Sequence, residues 1–258
     1  MKTYIGVFDS GLGGLTCVRQ LIKKMPHENV VFLADNKNVP YGSKSREQIR
    51  VFSFNNISFL NRFDLKALII ACNTSEANAR DVIEDNVNVP VYGVIRPAVK
   101  AAVIASRNKK IGLFATSMTV RSGKYETTLS ELDDKAKIYA IECPELVPMI
   151  EEGKFGRNDK EMTDTVRNYL EPLLDQGIDT LILGCTHYDV LMDTLKEQYP
   201  SLNIVSSSRC VIDEVFNELN IKEDKEPERK YFTTYLDERF DKVSKMIISD
   251  IEYEKVDV

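Results

Sequence analysis

Two cysteines of this 258-residue chain stand in matching places. Cys72 closes the apolar run Ala67-Leu68-Ile69-Ile70-Ala71 and is followed by Asn73-Thr74. Cys185 closes Thr180-Leu181-Ile182-Leu183-Gly184 and is followed by Thr186-His187. Each run reads as a buried strand, so each thiol falls where a strand gives way to a helix. In an open α/β sheet, ligands bind at the carboxyl ends of the strands. Two thiols at equivalent strand ends can face one another across a ligand and reach both faces of one carbon. That arrangement suits proton transfer by two bases. A free thiol titrates near pH ~8.5, and a helix N-terminus or a nearby cation lowers that value. The pair therefore predicts acid–base chemistry that needs no cofactor.

Other groups cluster at strand ends. Asp9-Ser10-Gly11-Leu12-Gly13-Gly14 follows the first strand and opens a helix. Its glycines let the backbone approach a ligand, and a helix N-terminus can hold an anion. A dinucleotide-binding turn is the rival reading, with Asp35 ending the second strand. That fingerprint fails at its third glycine, where Thr16 or Cys17 stands. Asp9 is placed to anchor an ammonium group or polarise a thiol. Pro40-Tyr41-Gly42 marks a turn after the second strand, and its Tyr41 and Gly42 amides can reach a carboxylate. Thr74 or Ser75 suits a helix cap, a structural role that competes with ligand binding. His187, two residues from Cys185, is a proton partner that favours thiolate, whereas His27 lies in the polar turn Pro26-His27-Glu28-Asn29.

The elements that must position these groups alternate. Strands are expected at Tyr4–Phe8, Val30–Ala34, Leu68–Ala71, Val91–Val94, Ile111–Ala115, Ile138–Ile141, Leu181–Leu183 and Ile204–Ser206. Helical patterns lie near 15–25, 44–62, 76–85, 97–106, 121–132, 145–152, 159–175 and 188–198. Such alternation predicts an α/β protein with mainly parallel sheets flanked by helices. The polar stretch Lys222–Lys230 reads as an exposed loop before a strand near 231–235 and a helix near 237–249. Ile5-Gly6-Val7-Phe8 and Ile111-Gly112-Leu113-Phe114 precede the two cysteines at similar distances. With the matched thiols, this repeat predicts two similar lobes related by a pseudo-two-fold, with the site between them. One lobe would comprise residues 1–94 plus 208–258 and carry Asp9, Ser10 and Cys72. The other would comprise 95–207 and carry Glu151, Cys185 and His187.

Composition narrows the classes. The net charge is −6, and Lys and Arg nowhere cluster enough to track a phosphate backbone, which argues against a nucleic-acid partner. No apolar stretch approaches the ~20 residues that span a membrane, and no signal peptide is apparent, so a cytoplasmic location is expected. The five cysteines are odd in number, without a C-x-x-C pair, and there are only two histidines. Free thiols in a reducing compartment and no metal site are the expectation. Cys17, Cys143 and Cys210 read as small buried hydrophobes.

Taken together, the motifs D-S-G-L-G-G (9–14), P-Y-G (40–42), A-C-N-T (71–74), G-V-I (93–95), I-G-L-F-A-T-S-M-T-V (111–120), L-V-P-M-I-E (146–151) and L-G-C-T-H-Y (183–188) resemble those of the glutamate racemases, within the cofactor-independent aspartate/glutamate racemase superfamily. They run in family order over nearly the whole chain. The resemblance implies an isomerase that interconverts L- and D-glutamate without a cofactor and supplies D-glutamate for peptidoglycan. It implies Cys72 and Cys185 as the two bases, with Cys72 acting on D-glutamate and Cys185 on L-glutamate. Asp9, His187 and Glu151 match assisting groups. Ser10, Tyr41, Gly42, Asn73, Thr74, Thr186 and, bordering the site, Thr116 and Thr119 match the substrate-binding set. A homodimer is also implied. So is the absence of activation by a cell-wall precursor, because the N-terminal extension that binds it in some relatives is missing. Three positions depart from the pattern. Arg96 stands for an acidic residue, Asp189 for a proline and Lys44 for an arginine.

The closest rival is an aspartate or broad-specificity racemase on the same scaffold. A Cys–His hydrolase using Cys185 and His187 would leave Cys72 dispensable. A binding protein would not exchange the α-proton, and a pyridoxal-phosphate enzyme would leave the paired thiols unexplained. Cys72→Ser and Cys185→Ser are each expected to abolish full racemisation while still exchanging or eliminating the α-proton of one enantiomer. Full turnover by either variant, followed by circular dichroism, refutes the two-thiol assignment.

Overall fold

The computed structural model describes residues 2–156, 159–219 and 226–258. In chain order the first half runs β1 (Tyr4–Asp9), α1 (Gly14–Lys24), β2 (Val30–Ala34), α2 (Arg46–Leu60), β3 (Leu65–Ile70), α3 (Asn73–Glu84), β4 (Val91–Gly93), α4 (Ile95–Ala105), β5 (Lys110–Ala115), α5 (Ser117–Arg121) and α6 (Lys124–Leu132). The second half runs β6 (Lys137–Glu142), α7 (Leu146–Glu151), α8 (Lys160–Asp175), β7 (Thr180–Gly184), α9 (Met192–Gln198), β8 (Asn203–Ser206), α10 (Ser207–Glu218), β9 (Arg229–Thr233), α11 (Glu238–Ile247) and β10 (Glu254–Lys255).

The strands form two parallel sheets, ordered β10-β9-β2-β1-β3-β4 and β6-β5-β7-β8. The order β2-β1-β3-β4 of the first is repeated by β6-β5-β7-β8 of the second. Cys72 follows β3 and Cys185 follows β7, so the thiols leave the third strand of each repeat. In each sheet the chain crosses back over its first strand to build the third. That reversal opens the crevice where α/β sheets bind ligands.

The apolar runs in the sequence have a simple cause. Strands β1, β2 and β7 are buried at every position, because helices cover both faces of a parallel sheet. Alternate residues still go to opposite faces. Ile5, Val7, Phe32, Ala67 and Ile69 join one apolar cluster; Tyr4, Phe8, Val31, Leu33, Leu68 and Ile70 join another. The first cluster continues unbroken into the second lobe through Ile111, Leu113, Leu181 and Leu183. Helix α10 packs on both α1 and α4, bridging the lobes on the side away from α2 and α3.

Several local expectations need correction. Helix α10 occupies 207–218, which the sequence pattern leaves unassigned. Its serines look like loop, but Ser206 caps the helix, its Oγ accepting from the Arg209 amide at 3.0 Å. The helix expected over 121–132 starts only at Lys124, as α6, and a short unassigned helix, α5, precedes it over Ser117–Arg121. They part at Gly123, whose φ of 63° favours glycine. A 3₁₀ turn, Thr186–Leu191, precedes α9 and replaces the start of the helix expected at 188. Strand β9 begins at Arg229, inside the polar stretch read as loop; residues 222–225 of that stretch lie outside the described residues. Among the described residues no helix is long and apolar enough to cross a membrane.

Leu183 sits fully buried in β7, between β5 and β8 and two residues before Cys185. Leu183→Ala is expected to destabilise the fold by about 2–5 kcal/mol, read as a lower urea midpoint at unchanged slope. A midpoint within error of wild type contradicts this account of the core.

Candidate active site

The carboxyl ends of the strands converge on one small cavity. Asp9, Ser10, Tyr41, Gly42, Cys72, Asn73, Thr74, Thr116, Cys185, Thr186 and His187 line it, together with Pro40 and Val147. Two residues singled out from the sequence stand just behind that lining. Glu151 holds His187, and Thr119 holds Thr74 and Thr116. The cavity is nearly closed: about 10 Å³ is open to the centre of a water-sized sphere, room for about one water.

Cys185 leaves β7 in extended conformation, φ −152° and ψ 134°, and the 3₁₀ turn then folds His187 back beside it. The Cys185 Sγ lies 3.7 Å from His187 Nδ1. On the far side of the ring, Nε2 lies 2.8 Å from Glu151 Oε1, at the end of α7. Burial opposes charging of His187. The hydrogen bonds to Cys185 and Glu151, with the charges of those groups, outweigh it and carry the imidazole well above its ordinary range. The glycine turn of the first lobe closes over this pair. The Leu12 amide donates to Glu151 Oε1 at 3.4 Å. A Cβ on Gly13 would run into the His187 ring, and one on Gly11 would come within 2.7 Å of Glu151 Oε1. The glycines read as a ligand-approach turn thus bring the backbone against the facing lobe's histidine and glutamate.

Cys72 has different neighbours. It caps α3, its Sγ accepting from the Ser75 amide at 3.4 Å and lying 3.6 Å from Ser10 Oγ. Burial, and then the charge of Asp9, push this thiol up to about 12, against its hydrogen bonds with Ser75 and Ser10. The sequence suggested that a helix N-terminus would lower it; in the closed cavity, burial wins. Asp9 is itself raised by burial, opposed by the charge of His187 and by the amides of Gly14, Gly11 and Ser10. Its Oδ2 accepts from the Gly14 amide at 2.8 Å, which caps α1, and Thr186 Oγ1 lies 3.4 Å from both carboxylate oxygens.

The remaining walls are neutral and polar. Thr74, Thr116 and Thr119 form a triangle of hydroxyls with edges of 2.8, 3.2 and 2.9 Å. The Tyr41 hydroxyl donates to the buried Asp35 at 2.5 Å and accepts from Asn56 at 3.1 Å. This contact pins the 3₁₀ turn Tyr41–Ser43. Asn73 is held by Tyr125, which donates to Oδ1 at 2.6 Å, and by its own Nδ2, which donates to Ser207 at 3.2 Å. Its side chain is thus committed to the scaffold, whereas the first backbone amides of a helix have no partner within it.

Sequence reasoning did not find Tyr125, Asp35 as the anchor of Tyr41, or Thr16. The buried Thr16 hydroxyl lies 2.8 Å from the Gly13 carbonyl, 3.0 Å from the Thr186 carbonyl and 3.1 Å from Ser208 Oγ. It ties the glycine turn to the Cys185–His187 turn. Tyr125, Thr186 and Ser208 lie far along the chain from the residues they hold, and the nearer contacts, Thr16 to the Gly13 carbonyl and Tyr41 to Asp35, depend on how the turns fold back. Of the departures from the family pattern, Arg96 pairs with Glu131 at the surface, at 2.7 Å, and Asp189 is buried, accepting from Ser206 at 2.7 Å. Among the described residues no three His, Cys, Asp or Glu side chains gather to hold a metal ion.

Known proteins similar to this chain share one family. The profile of the Asp/Glu/hydantoin racemase family matches residues 10–215. A glutamate racemase of Sulfurihydrogenibium sp. is 42% identical over 98% of this chain and 97% of its own. The crystal structure of a glutamate racemase isoform from Bacillus anthracis superposes with a TM-score of 0.90 at 34% identity, covering 99% of this chain and 98% of that one. That of the Francisella tularensis glutamate racemase in complex with D-glutamate also gives 0.90, at 30% identity and the same coverage.

A histidine whose native value is raised stabilises the fold in its charged form. That contribution is complete below its unfolded value near ~6.5 and is lost as the pH rises through the native one. Glu151→Gln removes the negative partner, so the His187 titration is expected to move down in NMR spectra, with His27 as the internal control. An unmoved His187 titration contradicts the role given to Glu151.

Proposed function

This chain belongs to the Asp/Glu/hydantoin racemase family, and from that membership and its paired thiols we infer that it interconverts L- and D-glutamate by proton transfer at Cα. The observation that carries the reading is that Cys72 and Cys185 leave equivalent strands of two repeated sheets and line the same cavity. In this mechanism one thiolate takes the α-proton and the opposite thiol delivers its own to the other face. The two sulfurs end with their protonation states exchanged. By analogy with the family, Cys72 removes the proton of D-glutamate and Cys185 that of L-glutamate.

The α-hydrogen is a very weak acid, so the site must stabilise the carbanion. Holding substrate and thiolate in reacting geometry contributes about 7–11 kcal/mol. Each donor aimed at the enolate-like carboxylate adds about 2.7–4 kcal/mol, and each acid or base about 10²–10⁴-fold. The amides opening α3 and the pinned Tyr41–Gly42 turn, with Ser10, are the donors for one carboxylate end. The threonine triangle, with Thr186 near Asp9, supplies the rest of the polar wall. Asp9 receives the substrate ammonium. That cation offsets the two effects that raise Cys72, because it brings positive charge to a buried thiol beside a carboxylate. At Cys185 the imidazole held by Glu151 stands 3.7 Å from the sulfur. Substrate cannot enter so small a cavity unless its walls part, and closure afterwards excludes water and strengthens each term.

The same reading divides the chain into lobes of 1–94 plus 208–258 and 95–207, the first holding β9 and β10 beside β2. It places the enzyme in the cytoplasm as a homodimer that supplies D-glutamate for peptidoglycan.

The test is incubation of each enantiomer of glutamate and aspartate in D₂O. Deuterium at Cα together with loss of optical rotation is expected for both glutamates and not for the aspartates. Aspartate turnover at least equal to glutamate turnover would favour the broad-specificity rival, and bound glutamate without exchange would leave only a binding protein.

A further inference from the structure

A second, larger hollow adjoins the catalytic cavity. It has a volume of about 410 Å³, inside the ~300–1,000 Å³ range of small-molecule pockets. Pro40, Gly42, Thr116 and Val147 are walls of both spaces. The hollow is therefore separated from the thiols only by these shared walls, and Gly42 and Thr116, where a Cβ on Gly42 would come within 2.7 Å of Thr116, form the neck between the two spaces. Its charge runs against that of the chain. The molecule carries −6 overall, yet the lining includes Lys44 and Arg121 and no acidic side chain. Arg121 is exposed and paired with Glu142 at 3.1 Å, which spends much of its field on that carboxylate. Lys44 is half-buried, and among the described residues no ion pair is recorded for it. The hydroxyl-bearing lining residues, Ser43, Ser45, Thr116 and Ser117, are neutral.

We propose that this hollow is the capture site for the anionic amino acid and that Lys44 is the cation that draws it in. The proposal rests on the functional reading above. Glutamate carries one net negative charge at neutral pH, so the field of the whole molecule repels it. A cation at the rim of a concave, low-dielectric mouth reverses that field locally and raises the substrate concentration at the neck. Lys44 follows directly on the 3₁₀ turn Tyr41–Ser43, so the group that attracts the anion is continuous with the amides proposed to receive its carboxylate. Its role is capture and specificity for an acidic substrate; it takes no part in proton transfer.

The test is steady-state kinetics with L- and D-glutamate for wild type, Lys44→Glu and Lys44→Arg, at low and high salt. Lys44→Glu is expected to raise KM by about 5- to 20-fold near 20 mM salt with kcat within about two-fold, and to lose most of that penalty near 500 mM salt, where screening is short-ranged. Both enantiomers should be affected alike, because they enter by the same mouth. Lys44→Arg should behave as wild type. A KM unmoved at low salt, a loss confined to kcat, or a loss that salt does not relieve overturns the proposal while leaving the racemase reading intact. A wild-type chain that leaves both glutamates unchanged overturns the functional reading instead, and this one with it.

Discussion

The His187–Glu151 contact is the interaction on which the site's shape depends. An imidazole and a carboxylate are both buried, and each would be costly there alone. Paired at 2.8 Å they sustain one another, and their second contacts fix everything around them. The imidazole's other nitrogen faces Cys185, and the carboxylate's Oε1 also takes the Leu12 amide of the opposite lobe. Gly11 and Gly13 are the positions where a side chain would break this closure. The pair thus orients one thiol and registers the first lobe on the second at the same time.

The two thiols are equivalent in topology and unequal in surroundings. Cys185 sits beside an imidazole supported by a carboxylate. Cys72 sits beside Asp9, with a hydroxyl and one amide in partial compensation. With the cavity almost closed, each dipole within it acts in low dielectric, and the donors on the carboxylates gain strength for the same reason that the bare Cys72 thiolate is disfavoured.

Much of this was readable from the chain. Buried parallel strands are unbroken apolar runs, so β1, β2, β3, β5 and β7 stood out, and with them the strand ends carrying Asp9, Cys72 and Cys185. Local chemistry also marked Ser10, Tyr41, Gly42, Asn73, Thr74, Thr186 and His187, and the cavity brings them together. Glu151, Thr116 and Thr119 came only through the family motifs, because an acid at a helix end or a threonine in a turn signals nothing by itself. What escaped was long-range. Gly13 is shaped by a histidine far along the chain, and Asn73 is held by Tyr125, 52 residues on. Helix α10 escaped because the serine run that begins it looks like coil until Ser206 is seen capping the Arg209 amide. The expectation of a lowered Cys72 failed for a different reason: the cap was read correctly, but the degree of enclosure cannot be judged from neighbours in sequence.

The repeated strand order has a thermodynamic counterpart. Mirror-image amino acids have equal free energies in water, so the equilibrium between them is fixed at unity whatever the catalyst does. The ratio kcat/KM must then be the same in both directions. A scaffold that presents the same strand-end sulfur from two copies of one sheet is the architectural form of that equality. The unlike companions of the sulfurs, Asp9 on one side and His187 on the other, remain free to divide the shared ratio differently between saturation and turnover. Handedness can therefore colour how tightly each enantiomer is held, but never which way the reaction runs at rest.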